Sequence, residues 1–180
     1  MKQKIIESIQ IPANVSCTFE NRTLKCKSGS AEVSKEIHIP KVEVHIKNNE
    51  IVFECQKGNK IQYKKIKSFI AHLKNIFAGV QNKFIYKLEV CNVHFPMSLK
   101  TEGSKLLITN FLGEKNPRFA IIIKEVSVEI KGQHITVSSH NKEAAGQTAA
   151  NIEKATKVRN RDRRIYQDGI FIVEKPGRNN

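Results

Sequence analysis

Residues 41–54 read KVEVHIKNNEIVFE, and residues 125–138 read EVSVEIKGQHITVS. Laid over one another at an offset of 84 (125 − 41 = 84), Val42, Val44, Ile46, Lys47 and Ile51 meet Val126, Val128, Ile130, Lys131 and Ile135. The same offset brings Pro12 onto Pro96, Gly29 onto Gly113, and Ile37 and Ile39 onto Ile121 and Ile123. Self-similarity held at one period marks an internal repeat. The chain therefore reads as a duplication, with one unit near 11–90 and the other near 95–174. The division expected is an N-terminal unit over 1–90, a C-terminal unit over 91–174, and a short flexible tail at 175–180.

Each matched stretch alternates β-branched and polar residues, the period of a half-buried strand. The alternation breaks at Lys47-Asn48-Asn49-Glu50 and at Lys131-Gly132-Gln133-His134, so each stretch reads as a hairpin. Upstream, CTFENRTLKC (17–26) and MSLKTEGSKLLITN (97–110) predict two more hairpins with polar turns. A helix then follows in each half. Ile66, Phe69, Ile70, Leu73, Phe77 and Val80 recur at helical spacing with lysines between them, which predicts a helix over 61–79 stopped by Gly79. In the second half Asn141 is placed as an N-cap, with Glu143 in the first turn and Ala145, Thr148, Ala149, Ile152 and Ala155 on one face. That predicts a helix over 142–155, small-faced enough, with Gly146, to lie close on its sheet. Strands at 85–90 and 170–174 close the two halves. The fold class expected is α+β, two tandem duplicated units, each an antiparallel sheet layer with one packed helix.

Hydrophobic residues make up 39% of the 180, enough for two modest cores and too many for a disordered chain. The formal net charge is +14, which favours a polyanionic partner over an acidic small molecule. Residues 1–90 hold 16 basic against 8 acidic side chains and residues 91–180 hold 15 against 9, so charge alone singles out neither half. The kind of base does. Five of the seven arginines, Arg159, Arg161, Arg163, Arg164 and Arg178, lie in the last 22 residues. An arginine fork matches phosphate oxygens and stacks on bases, where lysine is a compact hydrated charge.

Polar residues interrupt MKQKIIESIQIP, so it does not read as a signal peptide, and no run approaches a membrane span of ~20 apolar residues. Cys17, Cys26, Cys55 and Cys91 show no CxxC spacing and fall in strand-like runs, which predicts reduced, unligated thiols in the cytosol. The six histidines add no metal-ligand spacing. No phosphate-cradling glycine loop and no paired-carboxylate site is visible, so no catalytic residues, no cofactor and no small-molecule substrate are expected. Lys60, Lys64, Lys65 and Lys67 crowd the start of the first helix, where a solvated face is the plainer reading.

The remaining cluster is KVRNRDRRIYQDG at 157–169, between the second helix and the last strand. Both its ends are anchored, unlike a tail. Tyr166 offers a stacking face, Asn160 and Gln167 can hydrogen-bond bases or a 2′-hydroxyl, and Asp162 and Asp168 are expected to orient neighbouring arginines. A solvated charged loop is the alternative.

The stretch ATKVRNRDRRIYQDGIFIVEK (155–175) resembles the C-terminal signature of the universal large-subunit ribosomal protein L-six family, in its archaeal and eukaryotic form (eukaryotic L-nine). HFP at 94–96, NFLGEK at 110–115 and AAGQTAANI at 144–152 are similar to that family as well. One departure is plain: the eukaryotic form commonly carries tandem tryptophans before its first helix, and this chain has no Trp. The resemblance implies a two-domain cytoplasmic protein in ribosomes, near the stalk base and the factor-binding region, with large-subunit rRNA and neighbouring ribosomal proteins as partners and no membrane. It gives Lys157, Arg159, Asn160, Arg161, Arg163, Arg164 and Tyr166 the main rRNA-contacting role, and Gly113, Lys115 and Arg118 a secondary one. A free-standing regulatory RNA- or DNA-binding protein on the same fold is the alternative, and an RNA-processing enzyme lacks candidate residues.

Overall fold

A computed structural model describes residues 3–29, 31–47 and 49–177. Asn48 of the first matched turn, Arg178 and the end of the expected tail lie outside the described residues. The chain divides into two compact units, 1–82 and 83–180.

In the first unit, β1 (Gln3–Gln10), β6 (Glu50–Gly58) and β5 (Glu43–Lys47) form one sheet in the order β1-β6-β5. A second sheet runs β2 (Ser16–Glu20), β3 (Thr23–Ser28), β4 (Ala31–Glu36). Both sheets are antiparallel. The β2–β3 turn holds Asn21 and Arg22 at φ 48° and 62°, the twist a two-residue hairpin loop needs. Helix α1 (Lys60–Gln81) starts at Asn59, whose side chain accepts from the Ile61 and Gln62 N–H groups while Gln62 reaches back to the Asn59 N–H. That reciprocal cap satisfies donors that would otherwise face water. Ile66, Leu73, Phe77 and Val80 are buried among Leu24, Val33, Ile51 and Phe53. Gly79 is a buried position inside the helix rather than its stop, and the helix ends two residues later at Gln81.

The second unit repeats the plan: β8 (Ser98–Glu102), β9 (Lys105–Thr109) and β10 (Arg118–Ile121) form one sheet. The other runs β11 (Ser127–Lys131), β12 (His134–Ser139), β7 (Phe84–Cys91), β13 (Gly169–Glu174), in that order. Helix α2 (Lys142–Ala155) is capped by Asn141, which accepts from the Glu143 and Ala144 N–H groups. Its face of Ala145, Thr148, Ala149 and Ile152 is fully buried. A Cβ added at Gly146 would lie 2.8 Å from the Tyr86 hydroxyl, so glycine there leaves room for that side chain against the helix. No helix among the described residues is long and apolar enough to cross a membrane.

The duplication expected from sequence is present as an α+β repeat, with two corrections. First, the register slides. Lys47 pairs with Glu50 as Lys131 pairs with His134, an offset of 84 in both partners. The preceding hairpins instead pair Cys17 with Cys26 and Leu99 with Ile108, an offset of 82 (99 − 17 = 82). The caps Asn59 and Asn141 also differ by 82. The connections differ in length, so the Pro12–Pro96 and Gly29–Gly113 matches are not strict structural equivalences. Second, the strand at 85–90 does not close the first half. It lies within β7, which pairs with β12 and β13 and so opens the second unit as β1 opens the first. Ladder hydrogen bonds decide membership, and a strand at a duplication boundary carries no mark of which side it will pair with.

Candidate nucleic-acid interface

The segment 157–168 leaves α2 and returns to β13 as an irregular loop. Buried groups pin both of its ends. Thr156, 2% exposed, accepts from the Ile170 N–H at 2.9 Å, closing the loop at its neck. Asp168, 1% exposed, accepts from the Val93 N–H at 2.8 Å, the His94 N–H at 2.9 Å and His94 Nδ1–H at 2.6 Å. Burial alone would push the Asp168 carboxyl up, but these bonds hold it below the ordinary aspartate range. Asp168 therefore ties the loop to 93–94 rather than orienting arginines, a correction to its expected role.

Asp162 does orient one. Its carboxylate accepts from the Arg164 backbone N–H at 2.9 Å and from Arg164 Nη2 at 2.8 Å. That pairing lowers the Asp162 carboxyl and raises the guanidinium. The Asp162 carbonyl also accepts from the Ile165 and Tyr166 N–H groups, so one residue organises the turn. Asn160 holds φ 56°, which asparagine tolerates better than most residues. Gln167 donates to the Arg164 carbonyl at 3.1 Å, so its amide serves the loop itself.

Tyr166 stacks on His94 with ring centroids 5.1 Å apart, and the Arg161 guanidinium lies 4.8 Å from its ring centre. Contacts from an imidazole and a guanidinium on one ring let Tyr166 brace Arg161. Lys157, Arg159 and Arg163 are exposed and make no side-chain hydrogen bond or ion pair among the described residues. Ile165 stands 62% exposed among these cations. Beside the loop a cleft of about 870 Å³ is lined by Lys157, Arg163, Arg164 and Tyr166, with Val93 and Phe171 as apolar wall.

The secondary residues divide. Arg118 Nε donates to Glu114 at 2.7 Å, Nη1 donates to the Ala155 carbonyl at 2.9 Å, and the guanidinium lies 4.3 Å over the Phe111 ring. Its fork is spent inside the fold, securing the end of α2. Lys115 is exposed, and Gly113 turns the chain with φ 75°. The sequence carries no local signal that marks His94, Thr156, Glu114 or Glu153, whose carboxylate accepts from the Ile172 N–H, as part of the site. Only HFP at 94–96 gave a hint, through its resemblance. In the first unit Lys67 pairs with Glu7 at 2.8 Å and lies over Tyr63, while Lys60, Lys64 and Lys65 are exposed on the opening turns of α1.

The family model for Ribosomal protein L6 matches the chain twice, over residues 11–83 and 95–169. The two matches begin 84 residues apart (95 − 11 = 84), the same interval as the paired hairpins. The chain belongs to the ribosomal protein L6 family. Relatives of the same family include the large ribosomal subunit protein uL6 of Methanococcus vannielii, 43% identical over 174 residues, covering 97% of this chain and 96% of that one. The uL6 of Methanosarcina mazei is 41% identical over 175 residues, covering 97% and 99%. That of Methanothrix thermoacetophila is 38% identical over 175 residues with the same coverage. The family is a structural, non-enzymatic component of the ribosome. Among the described residues no group of three or more His, Cys, Asp or Glu is arranged to hold a metal.

Proposed function

We propose that this protein is a structural constituent of the large ribosomal subunit that binds rRNA through the loop 157–168. Its place in the subunit is the stalk base and factor-binding region, as the family resemblance implies. The observation that carries the reading is a set of exposed arginines on a loop whose two ends are held by buried hydrogen bonds. Free tails lose conformational entropy when they bind, whereas a pinned loop presents its cations already ordered. Lys157, Arg159 and Arg163 are the phosphate contacts. Arg161, braced on Tyr166, and Arg164, aimed by Asp162, also meet phosphates, from fixed positions that fit the shape of the RNA, with Asn160 setting the bend between Arg159 and Arg161. Lys115 adds a phosphate contact, and Gly113 and Arg118 act by holding the backbone. Affinity comes from neutralised phosphates and register from RNA shape. The endogenous protein should sediment with large subunits through a high-salt gradient. Recovery in the free-protein fractions, with the subunits otherwise intact, would overturn the assignment.

A further inference from the structure

The first unit contains a pair of thiols that its duplicated partner lacks. Cys17 on β2 faces Cys26 on β3, and their sulfurs are 2.9 Å apart. The hairpin fixes what kind of pair this is. Glu20 and Thr23 flank a two-residue turn and exchange the first ladder bonds, so counting outward makes Phe19–Leu24 non-hydrogen-bonded, Thr18–Lys25 hydrogen-bonded and Cys17–Cys26 non-hydrogen-bonded. Such pairs bring their Cα atoms to about 4.5 Å, inside the range a disulfide spans. Closing a bond of about 2.05 Å needs the sulfurs to approach by roughly 0.9 Å, within reach of a small side-chain rotation. The equivalent pair in the second unit is Leu99–Ile108, two aliphatic side chains that fill the same place with no such chemistry.

We propose that Cys17 and Cys26 form a dithiol modification site that a hydroperoxide converts into a cross-strand disulfide, while Cys55 and Cys91 do not pair. The two sulfurs have different parts. Cys17 is half-buried and Cys26 is fully buried. The two thiols share one S–H···S hydrogen bond, in which either sulfur can donate, and it holds the Cys17 thiol below its ordinary range against the upward push of burial. That same bond, with burial, raises Cys26. The Cys17 thiolate attacks one oxygen of the peroxide, the O–O bond breaks, and hydroxide leaves and is protonated to water. The Cys26 sulfur then attacks the resulting sulfenic acid, its proton leaving with the departing hydroxide as a second water. Two electrons pass from the thiols to the peroxide, and one S–S bond forms.

The test uses the full chain. Reduced protein is treated with hydrogen peroxide, its remaining thiols are blocked with N-ethylmaleimide, and it is mapped by peptide mass spectrometry. The expected result is a peptide pair joining Cys17 to Cys26, lighter by two hydrogens, with Cys55 and Cys91 still alkylated. The melting midpoint of the first unit should rise by roughly 10 °C and fall back on adding dithiothreitol. Changing Cys17→Leu together with Cys26→Ile installs the aliphatic pair of the second unit, so this variant should fold and lose the peroxide response. Sulfinic acid at Cys17 without the cross-link would overturn the proposal. So would bonding of Cys91 between molecules, or an unchanged response in the Leu/Ile variant.

Discussion

Replacing Arg159, Arg161, Arg163 and Arg164 by alanine tests the loop directly. Each phosphate neutralised contributes about 0.7 to 0.9 to the slope of log K against log salt, so four contacts should flatten the slope by roughly 3. At about 0.15 M salt the same counting gives each contact roughly 0.6–0.7 log units, so the quadruple variant should bind about 10²–10³-fold more weakly. The structure divides that loss. Arg159 and Arg163 have no internal partner among the described residues, so each should contribute a full step, whereas Arg164 is already paired with Asp162 and should contribute less. Arg→Lys at all four positions keeps the charge and loses the planar fork, so the slope should hold while affinity falls. Filter binding to a large-subunit rRNA fragment at four or five salt concentrations gives the slopes, and circular dichroism confirms the fold. An Ala variant that binds with an unchanged slope would mean that the loop is solvated surface and that the contact lies elsewhere.

Three further outcomes follow from the geometry. Asp168→Ala removes the acceptor for two backbone donors and His94, and should cost the second unit about 2–4 kcal/mol by urea unfolding at neutral pH. Because the Asp168 carboxyl is held below its ordinary value, its stabilisation is complete above the unfolded aspartate range near 4 and is lost as pH falls through the lower folded value. The wild-type and Asp168→Ala midpoints should accordingly converge in acid, and a constant gap down to pH ~2 would refute the linkage. Arg118→Ala should weaken RNA binding by loosening the end of α2 while shifting the salt slope by less than the ~0.7 of one phosphate, and Lys should not restore it. Asn59→Ala removes the capping box of α1 and should cost the first unit about 1 kcal/mol in a denaturant titration, with RNA affinity unchanged.

Much of this fold is legible in the chain because its elements are specified locally. The period-2 runs of 41–54 and 125–138 pair in the register their alternation demands, and Asn141 caps α2 where the pattern begins. What is not legible is set by distant partners. Asp168 and Val93 stand 75 positions apart, and nothing near either marks their hydrogen bond. Arg118 looks like any surface cation until Glu114, Ala155 and Phe111 are found around it. Tyr166 reads as a free aromatic because stacking on His94 depends on where the loop folds back. The composition of the loop therefore announces a nucleic-acid partner, while the division between contact and support emerges only in three dimensions.

The duplication also explains why the arginine loop occurs once. In the second unit, α2 is followed by a fourth strand, β13, which pairs along β7 and obliges the chain to cross from the helix end back to the sheet. That crossing is the loop 157–168, and the ladder of β13 with the Thr156 and Asp168 bonds holds its ends. Among the described residues the corresponding sheet of the first unit is β1-β6-β5, and after α1 the chain passes through Asn82 and Lys83 straight into β7. The chain makes no such crossing after α1, so nothing there matches the anchored loop that follows α2. Apart from Arg22 in the β2–β3 turn, the first unit's cations are lysines, of which Lys67 is paired with Glu7 and Lys4 with Glu54. If β13 is what makes the loop competent, Ile170→Asp, which places a charge in a position 1% exposed, should unseat the strand. RNA affinity should then fall toward that of the quadruple Ala protein even though every arginine remains. Hydrogen exchange over 84–91 and 169–174 would report the loss of the ladder. Released β13 amides with RNA binding intact would show that the arginines need no anchored frame.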